Sequence, residues 1–128
     1  DAMENIAMSD TPVTSHRNTH QYLRPCVEAC SDCHKTCLNT AMTHCLEAGG
    51  KHLEAEHFRL MINCAEICQT SANFLLNGST FHHHVCGVCA EICDACVKSC
   101  EQVGGMEDCV RACRECAEIC RKMAGEQS

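Results

Sequence analysis

The sequence predicts an all-α protein: an antiparallel, up-down-up-down four-helix bundle with a cysteine-lined core. Three observations predict it. First, cysteines recur at helical spacing. Cys26, Cys30, Cys33 and Cys37 are separated by gaps of four, three and four, and the same gaps recur in Cys89, Cys93, Cys96, Cys100 and in Cys109, Cys113, Cys116, Cys120. At about 100° per residue such positions fall at roughly 0°, 40°, −20° and 20°, a single stripe about 60° wide. That spacing normally carries leucine toward a bundle core; here it carries sulfur. Second, Gly49-Gly50, Asn77-Gly78-Ser79 and Gly104-Gly105 cut the chain into four helical stretches. Third, no segment alternates convincingly with period two, so no sheet is expected.

The elements follow in order. Residues 1–18 are read as an N-terminal arm with a turn at Asp10-Thr11-Pro12. Residues 19–124 form the bundle and 125–128 a C-terminal tail. Helix one is predicted from Thr19 to Glu47, with Pro25 near its start, where a missing N–H is tolerated. Gly49-Gly50 ends it. Helix two is predicted from Lys51 to Leu76. Helix three runs from Thr80 to Val103, capped by Ser79 or Thr80. Helix four begins near Met106, where Glu107 and Asp108 suit a positive helix N-terminus, and fades after Met123. Short turns between long helices imply antiparallel neighbours.

Composition narrows the function classes. The chain has 128 residues, enough for one domain, and sixteen are cysteine. Such enrichment is typical of small disulfide scaffolds. Those have irregular gaps and many loops, whereas these gaps follow a helix, and thiols on one helix face are poorly aimed at each other for a bridge. A disulfide-stabilised structural or interaction protein therefore stands as an alternative only. The net charge of −7, with no basic cluster, argues against nucleic acid or an anionic membrane as partner. No apolar run approaches the ~18 residues of a membrane span. No nucleophile–base grouping or phosphate loop stands out, so no enzymatic activity is expected. No leader is visible, and free thiols suit a reducing compartment. A cytoplasmic location is expected, although the chain starts at Asp1 rather than Met and an exported form stays open.

The core needs an occupant. The chain has one tyrosine, three phenylalanines and no tryptophan. Small sulfur side chains alone should leave facing helices underpacked; Val27, Leu38, Ile67, Ile92, Val97 and Ile119 are expected to seal the seams or, for some of them, to form a subunit interface. Thiolates select Cu(I), zinc(II) or iron with sulfide. Charge separates these. Four zinc ions on sixteen thiolates would leave about eight uncompensated negative charges inside one bundle, at several kcal/mol each. One Cu(I) per thiolate leaves none, and empty thiols need no charge either. Iron–sulfur ligation uses other gaps, in loops. Cys86-Gly-Val-Cys89 looks like part of the stripe rather than a redox motif. A metallothionein-like zinc or mixed-metal buffer remains the main alternative to copper.

The motifs Cys26-x3-Cys30-x2-Cys33-x3-Cys37, Cys64-x3-Cys68, Cys86-x2-Cys89-x3-Cys93-x2-Cys96-x3-Cys100 and Cys109-x3-Cys113-x2-Cys116-x3-Cys120 run from Cys26 to Cys120, within a helical pattern over about residues 20–124. In this pattern the chain resembles the four-helix-bundle copper storage proteins, a bacterial family that fills the bundle core with Cu(I) thiolates. The resemblance implies a copper storage or sequestration protein, about one Cu(I) per cysteine, and a homotetramer. It also implies copper entry at a bundle end lined by Met or His; a copper chaperone or recipient cuproenzyme would be the partner. Family members occur in the cytoplasm and also as exported proteins. All sixteen cysteines are candidate ligands, with Cys45 the odd one, roughly 100° from Cys26 on an α-helical wheel.

Helix two carries only Cys64 and Cys68. Its stripe extends backward through Met61 to His57 and forward through Ser71 to Leu75. His57 and Met61, with His44 and Met106, are candidate ligands for a weaker-binding mouth at that end. His82-His83-His84, beside Cys86, offers a rival entrance. His16, His20, His34 and His52 are read as surface residues. Glu66, Glu91 and Glu118 fall about 200° from the preceding cysteine and are read as solvent-facing.

Overall fold

A computed structural model describes residues 21–125. The predicted arm at 1–18 with its turn, His16, His20 and residues 126–128 lie outside the described residues. Helix α1 spans Leu23–Thr40 and continues through a π-helical turn, Ala41–Cys45, into α2, Leu46–Ala48. A 3-10 turn at Gly50–Leu53 leads to α3, Ala55–Leu76; α4 covers His82–Val103 and α5 Glu107–Gly125. No strand occurs among the described residues.

The punctuation works as the sequence implies. Gly49 and Gly104 follow the helix ends at φ of 67° and 83°, where a side chain would be strained. Pro25 sits in the first turn of α1, where backbone N–H groups have no helical partner anyway. Two starts differ. Helix α3 begins at Ala55 rather than Lys51, because the 3-10 turn takes up Gly50–Leu53. Helix α4 begins at His82 with Phe81 as N-cap. Ser79 does not cap it; its Oγ accepts the Phe81 N–H at 3.0 Å inside the preceding turn.

Each long helix packs on its sequence neighbours, and α5 closes the ring against α1. The thiol pairs give the directions. Cys26 meets Cys120 while Cys37 meets Cys113, so α1 and α5 run antiparallel. Cys64 meets Cys93 while Cys68 meets Cys89, so α3 and α4 do too. Salt bridges Arg121–Asp94 (2.6 Å) and Arg114–Glu101 (2.7 Å) lie outside on the α4–α5 seam.

The expected underpacking does not occur. Neighbouring sulfurs stand 3.5–4.0 Å apart, at van der Waals contact. Buried Ala41, Ala65, Ala72, Ala90, Ala112 and Ala117 beside the stripes let the helices close up. Val27 and Val97 are buried and Ile67, Ile92 and Ile119 pack against the core as seam residues. Leu38 does not: it is 39% exposed, with Met42, Leu46 and Leu53 also exposed.

Candidate metal centre

All sixteen cysteines are buried free thiols. Four groups of sulfurs, mutually within 4.8 Å, stack along the axis. Cys26, Cys86 and Cys120 form the first, at the end where α1 and α4 begin. Cys30, Cys89, Cys116 and Cys120 follow, then Cys33, Cys68, Cys93 and Cys116, then Cys33, Cys37, Cys64 and Cys113. Shared members make the stack continuous. Beyond it, Met61 Sδ accepts from Cys100 at 3.6 Å and from Cys96 at 3.7 Å. Cys45, Met106 and Cys109 are buried at that same end of the chain's helices.

Each stripe exists because its helix holds the four-three-four spacing on one face. Cys45 breaks the spacing yet is fully buried. The π turn explains this. It accommodates one extra residue, so the downstream chain lags an α-helix by about 100° and Cys45 returns to roughly 0°, in line with Cys26. Thr43 sits in the turn and donates its hydroxyl to the Asn39 carbonyl at 2.7 Å, giving the wider turn a side-chain hydrogen bond.

The thiols share protons along the stack. Hydrogen bonds with Cys109 and Cys96 hold Cys100 down to about 4. Cys109 is pushed up in return, chiefly by Cys100 and Cys37 and then by burial. Cys93 and Cys120 are pushed up by hydrogen-bonded sulfur neighbours, with burial adding to the effect. Cys45 is raised first by burial. A cluster of this kind releases protons when a thiophilic cation replaces them.

The helix-two stripe is as expected: His57, Met61, Ser71 and Leu75 are all buried. His57 Nδ1 lies 2.7 Å from Ser99 Oγ on α4. Its Nε2 is buried with no hydrogen-bond partner. Burial, the largest influence, lowers the His57 pKa and favours a neutral ring. His44 is not drawn into the stack. It is exposed, its ring 4.9 Å from that of His52 and edge-on to it. Met106 and His44 face a cleft of about 300 Å³ also lined by Thr43 and Cys109.

Two histidines read as surface residues are not simply so. His34 is half-buried and its Nδ1–H donates to the Ala65 carbonyl at 2.8 Å, tying α1 to α3. His52 stands between His44 and His57, 6.5 Å from the latter's ring, with Nε2 buried and unpartnered. Sequence reasoning missed Ser99 altogether; a serine one residue before Cys100 carries no signal of a partner on another helix. At the rival end, His82 Nδ1–H donates to the Ser79 carbonyl at 2.9 Å, and its Nε2 is buried without a partner. His83 and His84 point their rings at each other, 4.1 Å apart. Glu66, Glu91 and Glu118 are exposed, as read from the sequence. No helix among the described residues is long and apolar enough to cross a membrane.

Comparison with known proteins agrees with this architecture. The crystal structure of the Nmul_A1745 protein from Nitrosospira multiformis is 70% identical, with a TM-score of 0.81 over 82% of this chain and 96% of that one. The Cu(I)-bound copper storage protein BsCsp3 is 38% identical, with a TM-score of 0.75 over 80% of this chain and 98% of that one. An uncharacterised cysteine-rich protein, YhjQ of Bacillus subtilis (strain 168), is 40% identical over 80 residues, 62% of this chain and 73% of its own length. The family model described as copper storage protein matches residues 18–125, and the chain belongs to the copper storage protein family.

Proposed function

We propose that this protein stores Cu(I) as a column of thiolates inside the bundle. The observation that carries this reading is the continuous stack of buried, unbridged sulfurs running from Cys26 to Cys113. A soft monovalent ion at about one per cysteine leaves the interior neutral, whereas four-thiolate zinc sites would leave two negative charges each. The ligands are the sixteen cysteines, Cys26, Cys30, Cys33, Cys37, Cys45, Cys64, Cys68, Cys86, Cys89, Cys93, Cys96, Cys100, Cys109, Cys113, Cys116 and Cys120. Copper passes through a mouth formed by His57, Met61 and Met106. His44 lies outside it, as a first surface contact beside His52.

The buried, unpartnered His57 Nε2 supports entry at this end, because a neutral imidazole next to a thioether binds Cu(I) less tightly than thiolates do and so hands it on. Sixteen free thiols fit a reducing compartment, and we place the protein in the cytoplasm, exchanging copper with a chaperone or a cuproenzyme. The homotetramer needs an apolar outer face. Leu38, Met42, Leu46 and Leu53, all exposed at the His44 end, supply one against a second copy.

The test is an anaerobic Cu(I) titration of fully reduced protein against a chromogenic Cu(I) chelator. Uptake that outcompetes the chelator until about sixteen ions per chain are bound is expected. Saturation near four would turn the reading to zinc-type sites, and no uptake would end it.

A further inference from the structure

One face of α3 lines the column: Met61, Cys64, Cys68 and Ser71 are all fully buried along it. Contacts set its register against the other helices. On α4, Met61 meets Cys96, Cys64 meets Cys93 and Cys68 meets Cys89, so each step forward on α3 matches an equal step back on α4. The next step, from Cys68 to Ser71, takes α4 from Cys89 to Cys86. On α5, Cys64 meets Cys113 and Cys68 meets Cys116, which brings Ser71 level with Cys120. On α1, Cys64 meets Cys37 and Cys68 shares a sulfur group with Cys33, which brings Ser71 level with the turn from Cys26 to Cys30. Deeper in the column, Cys33, Cys68, Cys93 and Cys116 form a group with one sulfur from each long helix. The end group, Cys26, Cys86 and Cys120, has one each from α1, α4 and α5. At that level α3 offers a hydroxyl instead of a thiol.

That hydroxyl is buried with no hydrogen-bond partner among the described residues. A serine inside a helix commonly bonds back to the carbonyl one turn earlier; here that is Ile67, and Ser71 does not do so. An unpartnered buried hydroxyl costs about 1–3 kcal/mol, so its place in the empty bundle calls for a reason. The thiols level with it are free and protonated, and neutral sulfur is a weak acceptor. Copper changes that. Each thiol that binds gives up its proton to solvent and becomes a thiolate, and hydrogen bonds to ionised acceptors are roughly twice as strong as neutral ones.

We propose that Ser71 is a positioning residue for copper at this end of the column, its Oγ–H donating to the Cys26, Cys86 and Cys120 group once those sulfurs hold Cu(I). The serine keeps its own proton throughout, so charge and proton counts in the column are unaltered. Its hydroxyl also keeps this end at three sulfurs, where a cysteine on α3 would make four. The proposal rests on the copper storage reading and adds to it a non-sulfur group that acts on one layer only.

The experiment follows individually assigned cysteine Cβ carbons by nuclear magnetic resonance in anaerobic, copper-loaded protein while a chromogenic Cu(I) chelator withdraws the metal. In Ser71→Ala, Cys26, Cys86 and Cys120 should hold copper about tenfold less tightly than in the unaltered protein, with Cys64 and Cys113 unchanged. In the metal-free protein the same substitution removes an unpartnered group, so its urea midpoint should equal or exceed that of the unaltered protein. Ser71→Cys tests the register separately: the introduced thiol should bind copper and raise capacity by about one ion. The proposal is overturned by unchanged copper retention in Ser71→Ala, by equal weakening at all cysteines, or by a lowered metal-free midpoint, which would mean that the hydroxyl is already partnered. An introduced thiol that takes no copper overturns the register. If the unaltered protein itself takes up no Cu(I), the storage reading falls and this proposal with it; if it loads fully and only the Ser71 results fail, the storage reading stands alone.

Discussion

Ser99 Oγ on α4 holds His57 Nδ1 of α3 at 2.7 Å, across the seam beside the mouth of the thiol column. The bond fixes the plane of the imidazole and leaves Nε2 as its free edge, buried and unpartnered. A ring so held is pre-set to receive a cation and to hand it on. Outer partners of this kind are worth about 10–100-fold in metal affinity. Ser99→Ala is therefore expected to slow Cu(I) uptake about tenfold with final capacity unchanged. His57→Ala with Met61→Ala should slow it further. Stopped-flow uptake from a weak Cu(I) donor measures both. Unchanged kinetics in these variants, with slowing after His82→Ala and His84→Ala instead, would move the entrance to the opposite end.

Cys45 is in the core only because of the π turn at Ala41–Cys45. Removing one residue from that turn should convert it to α-helix and leave Cys45 on the same face. Deleting Thr43 is thus expected to keep all sixteen thiols protected in the folded metal-free protein. Deleting Met42 and Thr43 together rotates the downstream residues by about 100° and should expose Cys45. Counting thiols that react with an aromatic disulfide reagent before unfolding distinguishes the cases: none for the single deletion, one for the double. Reactivity of Cys45 in the single deletion would show that the turn does not set its register.

Much of this was legible because cysteine alone wrote the core. The four-three-four gaps gave the helices, the inward faces and, through Gly49-Gly50 and Gly104-Gly105, the antiparallel order. The buried stripe through His57, Met61, Ser71 and Leu75 followed from the same periodicity. Cys45 could not be placed, since a π turn has no compositional marker and an α-helical wheel puts it off the face. Of the two readings open for Leu38, seam or subunit interface, its exposure fits the second, since it neighbours Cys37 and so points about 100° away from it. Underpacking was expected because sulfur was weighed without the alanines flanking it, such as Ala65 beside Cys64 and Ala117 beside Cys116. His34 and His52 were read outward, and their ring contacts come from elements far apart in sequence or from the irregular loop after α2.

Exposed charge pairs should matter little. Arg121 and Asp94 meet at 2.6 Å, but both side chains are about half exposed. Arg121→Ala is expected to cost less than about 1 kcal/mol in urea unfolding of the metal-free protein. A core change such as Met61→Ala should cost about 2–5 kcal/mol. A larger effect of Arg121 than of Met61 would contradict the view that the packed sulfur interior, rather than the outer seam, holds the empty bundle together.

Stability of the metal-free protein should fall on both sides of neutrality. His57 has its pKa lowered from 6.5, mainly by burial. Between the folded value and 6.5 the unfolded chain binds more protons than the folded one, so stability rises with pH there. The contribution is complete above about 6.5 and is lost as pH falls through the folded value. Cys45 is shifted the other way, raised from 9.0 mainly by burial. Above that pH the unfolded chain gives up its proton first, so stability declines as pH rises past about 9. Urea midpoints at about pH 5.5, 7.5 and 9.5 should be highest in the middle. His57→Gln should make the acid side less steep, the lowered Cys100 still contributing there, and leave the alkaline side as it is. Full copper loading should abolish the alkaline decline, because the thiolates then form in the folded state with the metal as their counter-charge. An alkaline decline that persists unchanged in the loaded protein would mean that its thiols are not the groups holding copper.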